Sequence, residues 1–259
     1  GTPIGTLLSD AFGIKSAFVA VEAVALLVTV LLLISVPRSG STDVSSSVRE
    51  QLVILKDRRI ILVLVMKAFG MAATYVFYVY VTPILEDSVG LSVWMVSLVL
   101  FFYGGATIVS NLGSGSLAQR FGLGKLPLMF ALQAVVLALL GISLASGNTV
   151  LCIINVVLTG VFIYHMNAPL QSYLLQVSAK DYPRALTLAS AVMPTSSDIG
   201  IATGSFMGGV VATNLGFAWS GPVGAVLAVV SVVAAFMILQ PESRMGGSLR
   251  SRLRRNRKQ

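Results

Sequence analysis

Charged residues are scarce in this sequence. Asp, Glu, Lys and Arg together make up 11% of its 259 residues, whereas about 25% is typical of soluble domains. Hydrophobic residues make up 56%, and the mean hydropathy is +0.88. A soluble fold of this size needs a charged surface, which these few charges cannot build. The composition therefore excludes a soluble enzyme, a soluble nucleic-acid-binding domain and a disordered protein as leading interpretations.

Cysteine and histidine are nearly absent as well. The single cysteine, Cys152, lies in an apolar stretch, so neither a disulfide framework nor a CxxC metal site is possible. His165 is the only histidine, and no residue at helical spacing from it supplies companion metal ligands. We therefore predict no metal site and no cofactor.

Common enzyme motifs are also missing. The segment 115–125 fails the G-x-x-x-x-G-K spacing of a P-loop, because Gln119 occupies the place of the first glycine. The sequence contains no H-E-x-x-H and no G-x-S-x-G motif. We therefore predict that the chain is not an enzyme and does not drive transport with ATP, and an intramembrane enzyme remains the alternative.

Long apolar stretches dominate the sequence instead. A helix needs about 20 apolar residues to cross roughly 30 Å of hydrocarbon. Seven stretches reach that length, at residues 16–36, 60–85, 93–117, 126–145, 150–177, 186–214 and 219–239. An outer-membrane barrel would show alternating segments of about ten residues. The predicted fold is all-α, a polytopic bundle of membrane helices whose first partner is the lipid bilayer.

The composition also divides the chain into segments. Residues 37–59 are rich in serine and charge and are predicted to be a linker. Residues 1–36 are interpreted as the end of a first helical bundle, 60–241 as a six-helix bundle and 242–259 as a basic tail. Because residues 1–9 would span only about 13 Å as a helix, we expect the chain to begin inside a helix of a longer protein.

Basic residues fall on one side of the predicted topology. Of the 18 Lys and Arg residues, 16 lie in the linker, the tail and alternate connections, and only Lys15 lies on the opposite side. Connections rich in Lys and Arg are cytoplasmic in membrane proteins. We therefore predict a plasma (inner) membrane protein with a cytoplasmic linker and tail, the tail contacting anionic lipid and not nucleic acid.

Four residues with titratable side chains, Glu22, Lys67, His165 and Asp198, lie within the predicted spans, where burial in hydrocarbon is costly and is often functional. Glu22 is close to the outer end of its span and is predicted to reach the membrane surface. Asp198 is a candidate for carrying a coupling proton, with a hydrogen-bonded packing role as the alternative. His165 is a second candidate for proton coupling, or else a satisfied interior residue. Lys67 is a candidate for substrate contact, or else it reaches toward the membrane surface.

Uncharged polar and aromatic residues accompany these four. Tyr75 and Tyr78 share a helix face with Lys67. Together with Asn155 they are candidates for lining a cavity inside the bundle, and the family resemblance described below implies that this cavity holds the substrate. The amide side chain of Asn167 is assigned a packing role.

Glycines form one further pattern within a predicted span. Gly200, Gly204 and Gly208 form overlapping G-x-x-x-G steps, which let helix backbones approach closely. We predict that they pack against a neighbouring helix. The alternative role is to provide a smooth face along which helices move.

Several segments together resemble one family of transporters. The connection GSLAQRFGLGK at 115–125 is similar to the G-x-x-x-D-R-x-G-R-R/K loop of the major facilitator superfamily. Gly115, Arg120, Gly122 and Lys125 match that loop, while glutamine replaces its acid and leucine one arginine. The opening GTPIG resembles the end of an antiporter motif. Residues 167–204 look like the tenth and eleventh helices of the drug:proton antiporter, arabinose-efflux-permease-like group.

The resemblance covers about residues 1–240 and implies both a fold and a function. The fold would be the C-terminal half of a major facilitator, a 3+3 inverted repeat, plus one helix of the first half. The function would be proton-coupled efflux of small organic solutes by alternating access, with the loop at 115–125 as a conformational element. The implied partners are protons, a small-molecule substrate and a missing N-terminal bundle of four to five helices. A non-transporting membrane remnant is a further alternative.

Overall fold

The computed structural model describes residues 12–35 and 48–256 of the chain. This part contains no strand, and its long elements are all helices. They are α1 (Ile14–Ser35), α2 (Arg58–Tyr78), α3 (Val93–Phe121), α4 (Leu126–Ser146), α5 (Thr149–Phe162), α6 (Asn167–Asp181), α7 (Leu186–Asn214) and α8 (Ser220–Asn256). The predicted antiporter motif at the start of the chain and residues 37–47 of the predicted linker lie outside the described residues.

Within the ranges 12–35 and 48–256, six helical segments are long and apolar enough to cross a membrane. They are α1, α2, α3, α4, the combined α5 and α6, and the first part of α8, which confirms the prediction of a multi-pass helical bundle. The sequence predicts seven spans, and α7 is the exception. This helix has 29 residues, enough to cross, but its Gly, Ser and Thr residues and Asp198 lower its hydropathy, so it is not one of the six.

Both ends of the six-helix unit differ from the predicted boundaries. Within the predicted linker, Val48–Leu52 is helical and Val53–Lys56 forms a 3₁₀ turn. The carboxylate of Asp57 then caps α2 by accepting the backbone N–H of Arg59 at 2.8 Å, because a side-chain acceptor satisfies a first-turn donor. At the other end, α8 continues as a helix into the predicted tail and ends at Asn256.

α2 is the central helix of the bundle, with α7 on one side and α8 on another. Gly200, Gly204 and Gly208 of α7 lie against backbone carbonyls of α2, and a Cβ at any of them would overlap that backbone. Gly224 of α8 lies in the same way against the carbonyl of Ala73. Small residues at these positions allow the close helix contacts that apolar packing in a membrane requires.

The bundle has one basic end. Ile54, Leu123 and Ala185, from the segment before α2 and from the α3–α4 and α6–α7 connections, belong to one buried cluster. These segments therefore lie together, and with the helix ends beside them they carry eight of the 15 basic residues in the ranges 12–35 and 48–256. Trp94 and Trp219, 72% and 54% exposed, lie at the opposite end, where α3 and α8 begin. Tryptophan is enriched at membrane–water interfaces.

Candidate functional site

The span predicted at 150–177 is a broken helix. Four residues, 163–166, separate α5 from α6 and are not helical. Two serines of α3 accept the backbone N–H groups around the break, Ser110 from Tyr164 at 3.0 Å and Ser114 from Ala168 at 3.4 Å. Non-helical backbone at membrane depth needs such partners, because no water is available in hydrocarbon. In transporters, broken helices mark the substrate region.

Lys67 lies beside this break. It is the tenth of the 21 residues of α2 and is 6% exposed. Its Nζ donates a hydrogen bond to Oδ1 of Asn167, the first residue of α6. Lys67 makes no ion pair within the described part of the chain. A buried ammonium with only a neutral acceptor is costly, so its remaining donors favour a further acceptor.

Asn167 also forms a hydrogen bond with a third helix. Its Nδ2 donates to Oδ1 of Asn111 on α3 at 3.1 Å. Only the amide oxygen of Asn167 can accept from the ammonium group, which leaves the amide nitrogen to donate. A chain of hydrogen bonds therefore links α2, α6 and α3. The sequence predicts only a packing role for Asn167 and gives no sign of this contact, because its partners lie 100 and 56 positions away.

Lys67 and Asp198 line the same cavity. This cavity has a volume of about 550 Å³ and is bounded by α2, α3, α6 and α7. Its polar lining includes Lys67, Asp198, Asn111, Asn167, Gln171 and the hydroxyl groups of two serines. Asp198 is exposed on its open side. A second cavity of about 330 Å³ shares the Asn111–Asn167 pair. The structure thus brings together two ionisable residues 131 positions apart.

The predicted tyrosines form an aromatic cluster instead. The rings of Tyr75 and Tyr78 meet edge to face at 5.4 Å, and Tyr78 stacks on the buried Tyr103 at 5.1 Å. They are not among the residues that line the cavity of Lys67. Asn155, also predicted as a cavity residue, is 8% exposed, and its Oδ1 has no hydrogen-bond partner among the described residues.

His165 lies within the break itself. It is 5% exposed, and its ring packs edge to face on Phe130 of α4 at 4.9 Å. Its Nδ1 donates to the carbonyl of Phe162, because a carbonyl oxygen can only accept. Its Nε2 is then an acceptor, and it has no partner in the part of the chain that the structure describes. The structure therefore places His165 in apolar packing and not among the residues lining the polar cavity.

The loop at 115–125 connects the cavity to the basic end. Gly115 lines the cavity within α3, while Arg120 is exposed in the last turn of that helix. Gly122 turns the chain with φ 53° and ψ −125°, a region that favours glycine. The Lys125 ammonium lies 5.7 Å from the centre of the Phe121 ring.

An ion-pair network at the basic end was not predicted from the sequence. The Arg59 guanidinium contacts Asp57 at 2.7 Å and Asp181 at 2.6 Å, joining the start of α2 to the end of α6. The hydroxyl of Tyr182 donates to Asp57 at 3.2 Å. The hydrogen bond from Arg59 is the main reason that the pKa of Asp57 lies below its usual value of 3.8.

Clusters of metal-binding side chains do not occur in residues 12–35 and 48–240. Within these ranges, no group of three or more His, Cys, Asp or Glu side chains could hold a metal ion. The polar groups of the cavity are instead amides, hydroxyls, one ammonium and one carboxylate, which suit the binding of an organic solute.

Comparisons with known proteins give one family match and several similar proteins. The family model of the Major Facilitator Superfamily matches residues 1–182. The uncharacterized MFS-type transporter YtbD of Bacillus subtilis is 30% identical over 234 residues, which are 90% of this chain and 58% of that relative. The inner membrane transport protein YdhP of Escherichia coli K12 is 26% identical over 246 residues, which are 94% of this chain and 61% of that relative. The chain thus spans about three fifths of the length of these relatives.

Proposed function

Because the chain belongs to the Major Facilitator Superfamily, we propose that it acts in a secondary transporter that exports small organic solutes, sugars or drug-like molecules, in exchange for protons. The observation that carries the proposal is the cavity lined by both Lys67 and Asp198. An ammonium and a carboxylate from different helices share one polar space, and they do not form an ion pair with each other. Each is therefore available to a solute or a proton.

The proposed coupling works through the charge of this cavity. Asp198 is exposed to the cavity, so a proton from water can reach its carboxylate. Protonation would remove the only negative charge among the residues lining the cavity and would change which conformation the solute favours. A proton shifts such an equilibrium only by binding the two states unequally. The glycine contacts between α7 and α2 offer a surface along which α7 can move as this charge changes.

The proposal includes an orientation and a second helical bundle. We place the basic end of the bundle in the cytoplasm of a plasma membrane, because basic connections stay on that side. We further propose that a first-half bundle faces the open side of the cavity, where Asn111 and Asp198 are exposed. Polar side chains exposed to lipid would be costly, so a protein or water partner on this side is favoured.

The experiment that tests the proposal uses everted membrane vesicles from cells expressing the chain. We would add arabinose or ethidium and follow uptake of the solute together with the internal pH. The expected result is solute uptake coupled to proton release when a first-half bundle of the family is supplied in trans. The chain alone should not transport, because half a cavity cannot close around a solute.

The matched variants are Asp198→Asn and Asp87→Asn. Both remove one carboxylate, but Asp87 is exposed outside the cavity. We expect Asp198→Asn to lose the proton coupling while inserting normally, and Asp87→Asn to behave as wild type. Unchanged coupling in Asp198→Asn would eliminate Asp198 as the coupling residue. Transport by the chain alone would contradict the need for a second bundle, and chemical turnover of a probe without net movement would favour the intramembrane enzyme.

A further inference from the structure

We infer that the Lys67 end of the cavity is a binding site for the carboxylate group of a small hydroxylated organic acid. The inference rests on the proposed function only in treating this cavity as a solute site. It adds the chemical class of the solute. Three observations support it: the uncompensated charge of Lys67, the position of the α6 N-terminus, and the amide and hydroxyl lining of the remaining wall.

The charge of Lys67 is the first observation. Its side chain is 94% buried, since only 6% remains exposed, and its hydrogen-bond partner in the described structure is the neutral Asn167 amide. An ammonium has three donors, so two directions are open for an acceptor. Burying an ion without an opposite charge is strongly unfavourable. A carboxylate entering the cavity would supply that charge.

The N-terminus of α6 adds to the positive potential at the same place. Asn167 is the first residue of this 15-residue helix, and the Ser114 hydroxyl of α3 accepts the backbone N–H of Ala168 in its first turn at 3.4 Å. The start of a helix carries a partial positive charge of roughly half an elementary charge. The ammonium group of Lys67 and this helix end therefore act on the same region of the cavity. Both favour a negatively charged group there.

The number and type of charges indicate a single carboxylate. Lys67 is the only basic residue among those lining the cavity, and Asp198 on α7 gives the opposite wall a negative charge. One ammonium group matches the single negative charge of a carboxylate, and the residues lining the cavity include no arginine that could bind a phosphate through two parallel hydrogen bonds. The other polar groups lining the cavity are amides and hydroxyls, Asn111, Ser114, Asn167, Gln171 and Ser197. Such groups suit the hydroxyls of the solute.

The size of the cavity fits a small solute. A volume of about 550 Å³ lies within the roughly 300–1,000 Å³ of typical small-molecule sites. The cavity therefore has room for an acid of six or so carbon atoms and its water.

The test is a thermal-stability titration of the purified full chain in detergent with gluconate and its uncharged amide, gluconamide. These probes differ at one group, where the negatively charged carboxylate of gluconate is replaced by the neutral amide of gluconamide. We expect a saturable rise in unfolding temperature with gluconate and none with gluconamide. Lys67→Gln should weaken gluconate binding by about 10- to 100-fold, the size expected for losing a hydrogen bond to a charged group. Lys67→Arg should retain it.

Two further variants separate recognition from folding. Lys180→Gln makes the same change at an exposed residue and should bind gluconate as wild type does. Asn167→Asp supplies a fixed carboxylate beside the ammonium. It should raise the unfolding temperature without ligand and abolish the gluconate response, which keeps the test valid if Lys67→Gln does not fold.

An equal response to gluconate and gluconamide, an unchanged response in Lys67→Gln, or no response to gluconate would each overturn the inference. The assay requires no transport. Lys67-dependent gluconate binding without proton-coupled flux would therefore leave the inference standing and defeat the proposed function. Coupled flux of solutes without carboxylate selectivity would support the proposed function and defeat the inference.

Discussion

Replacing Gly204 with alanine is expected to force α7 away from α2. A Cβ at this position would overlap the carbonyl oxygen of Ala72 and would lie 2.9 Å from its Cα and 3.0 Å from its carbonyl carbon. All three are backbone atoms of a helix, so none can rotate out of the way as a side chain could. α2 also cannot retreat freely, because Gly224 of α8 packs closely on Ala73.

The expected change in the free energy of unfolding follows from two opposing effects. Inserting a methyl group into a well-packed contact costs about 1–3 kcal/mol. Alanine is better than glycine in a helix by about 0.5–1 kcal/mol. Gly105 on α3 offers a matched control, since it is exposed and a Cβ there would meet nothing within 4 Å. Both variants share the helix effect, so their difference isolates the steric cost of about 1–3 kcal/mol.

The assay is the thermal unfolding of both variants, purified in the same detergent. For a protein of about this size, 1 kcal/mol corresponds to about 2–4 °C in unfolding temperature. Gly204→Ala should therefore unfold roughly 2–12 °C below Gly105→Ala. Equal unfolding temperatures would refute the inference that the glycines of α7 set the distance between these two helices.

Two further predictions concern the break and the basic end. Ser110→Ala leaves the backbone N–H of Tyr164 without its acceptor and should cost about 1–3 kcal/mol of stability. Hydrogen exchange at 163–166 should then be faster than in the exposed control Ser116→Ala. Equal exchange in the two variants would show that Ser110 does not stabilise the break. The pKa of Asp57 is lowered in the folded state, so its contribution is fully present above its usual pKa of 3.8 and is lost as the pH falls through the lowered value. Asp57→Asn should flatten this acid dependence of the unfolding temperature, and an unchanged acid limb would contradict the role given to its ion pair.

Local composition explains which parts of the fold could be predicted. Hydropathy is a property of short segments, so the spans of α1 to α4 and α8 could be located from the sequence. The break between α5 and α6 was not predicted, although Pro169 is a local signal for it, because proline lacks the N–H that a continuous helix would bond to the carbonyl of His165. The break itself reads Ile-Tyr-His-Met at 163–166. The serines of α3, more than 50 positions earlier, also accept backbone N–H groups there, and this contact cannot be predicted from the local sequence.

The same distinction applies to the candidate site. The rarity of charge within apolar stretches identified Lys67, His165 and Asp198 individually. It did not indicate that Lys67 and Asp198 share a cavity while His165 packs on Phe130. Tyr75 and Tyr78 share a helix face with Lys67, but their rings pack against each other, and the ring of Tyr78 also stacks on that of a third tyrosine.

Two features of this membrane protein, its several helical spans and its one basic end, could be predicted from the sequence. Hydrophobic length and the distribution of charge along the chain are enough for both conclusions, because lipid acts on each segment separately. Which polar groups contact one another depends on the tertiary structure. The ammonium of Lys67, the amide of Asn167 and the carboxylate of Asp198 come from three helices. Their arrangement depends on how closely glycine allows those helices to pack.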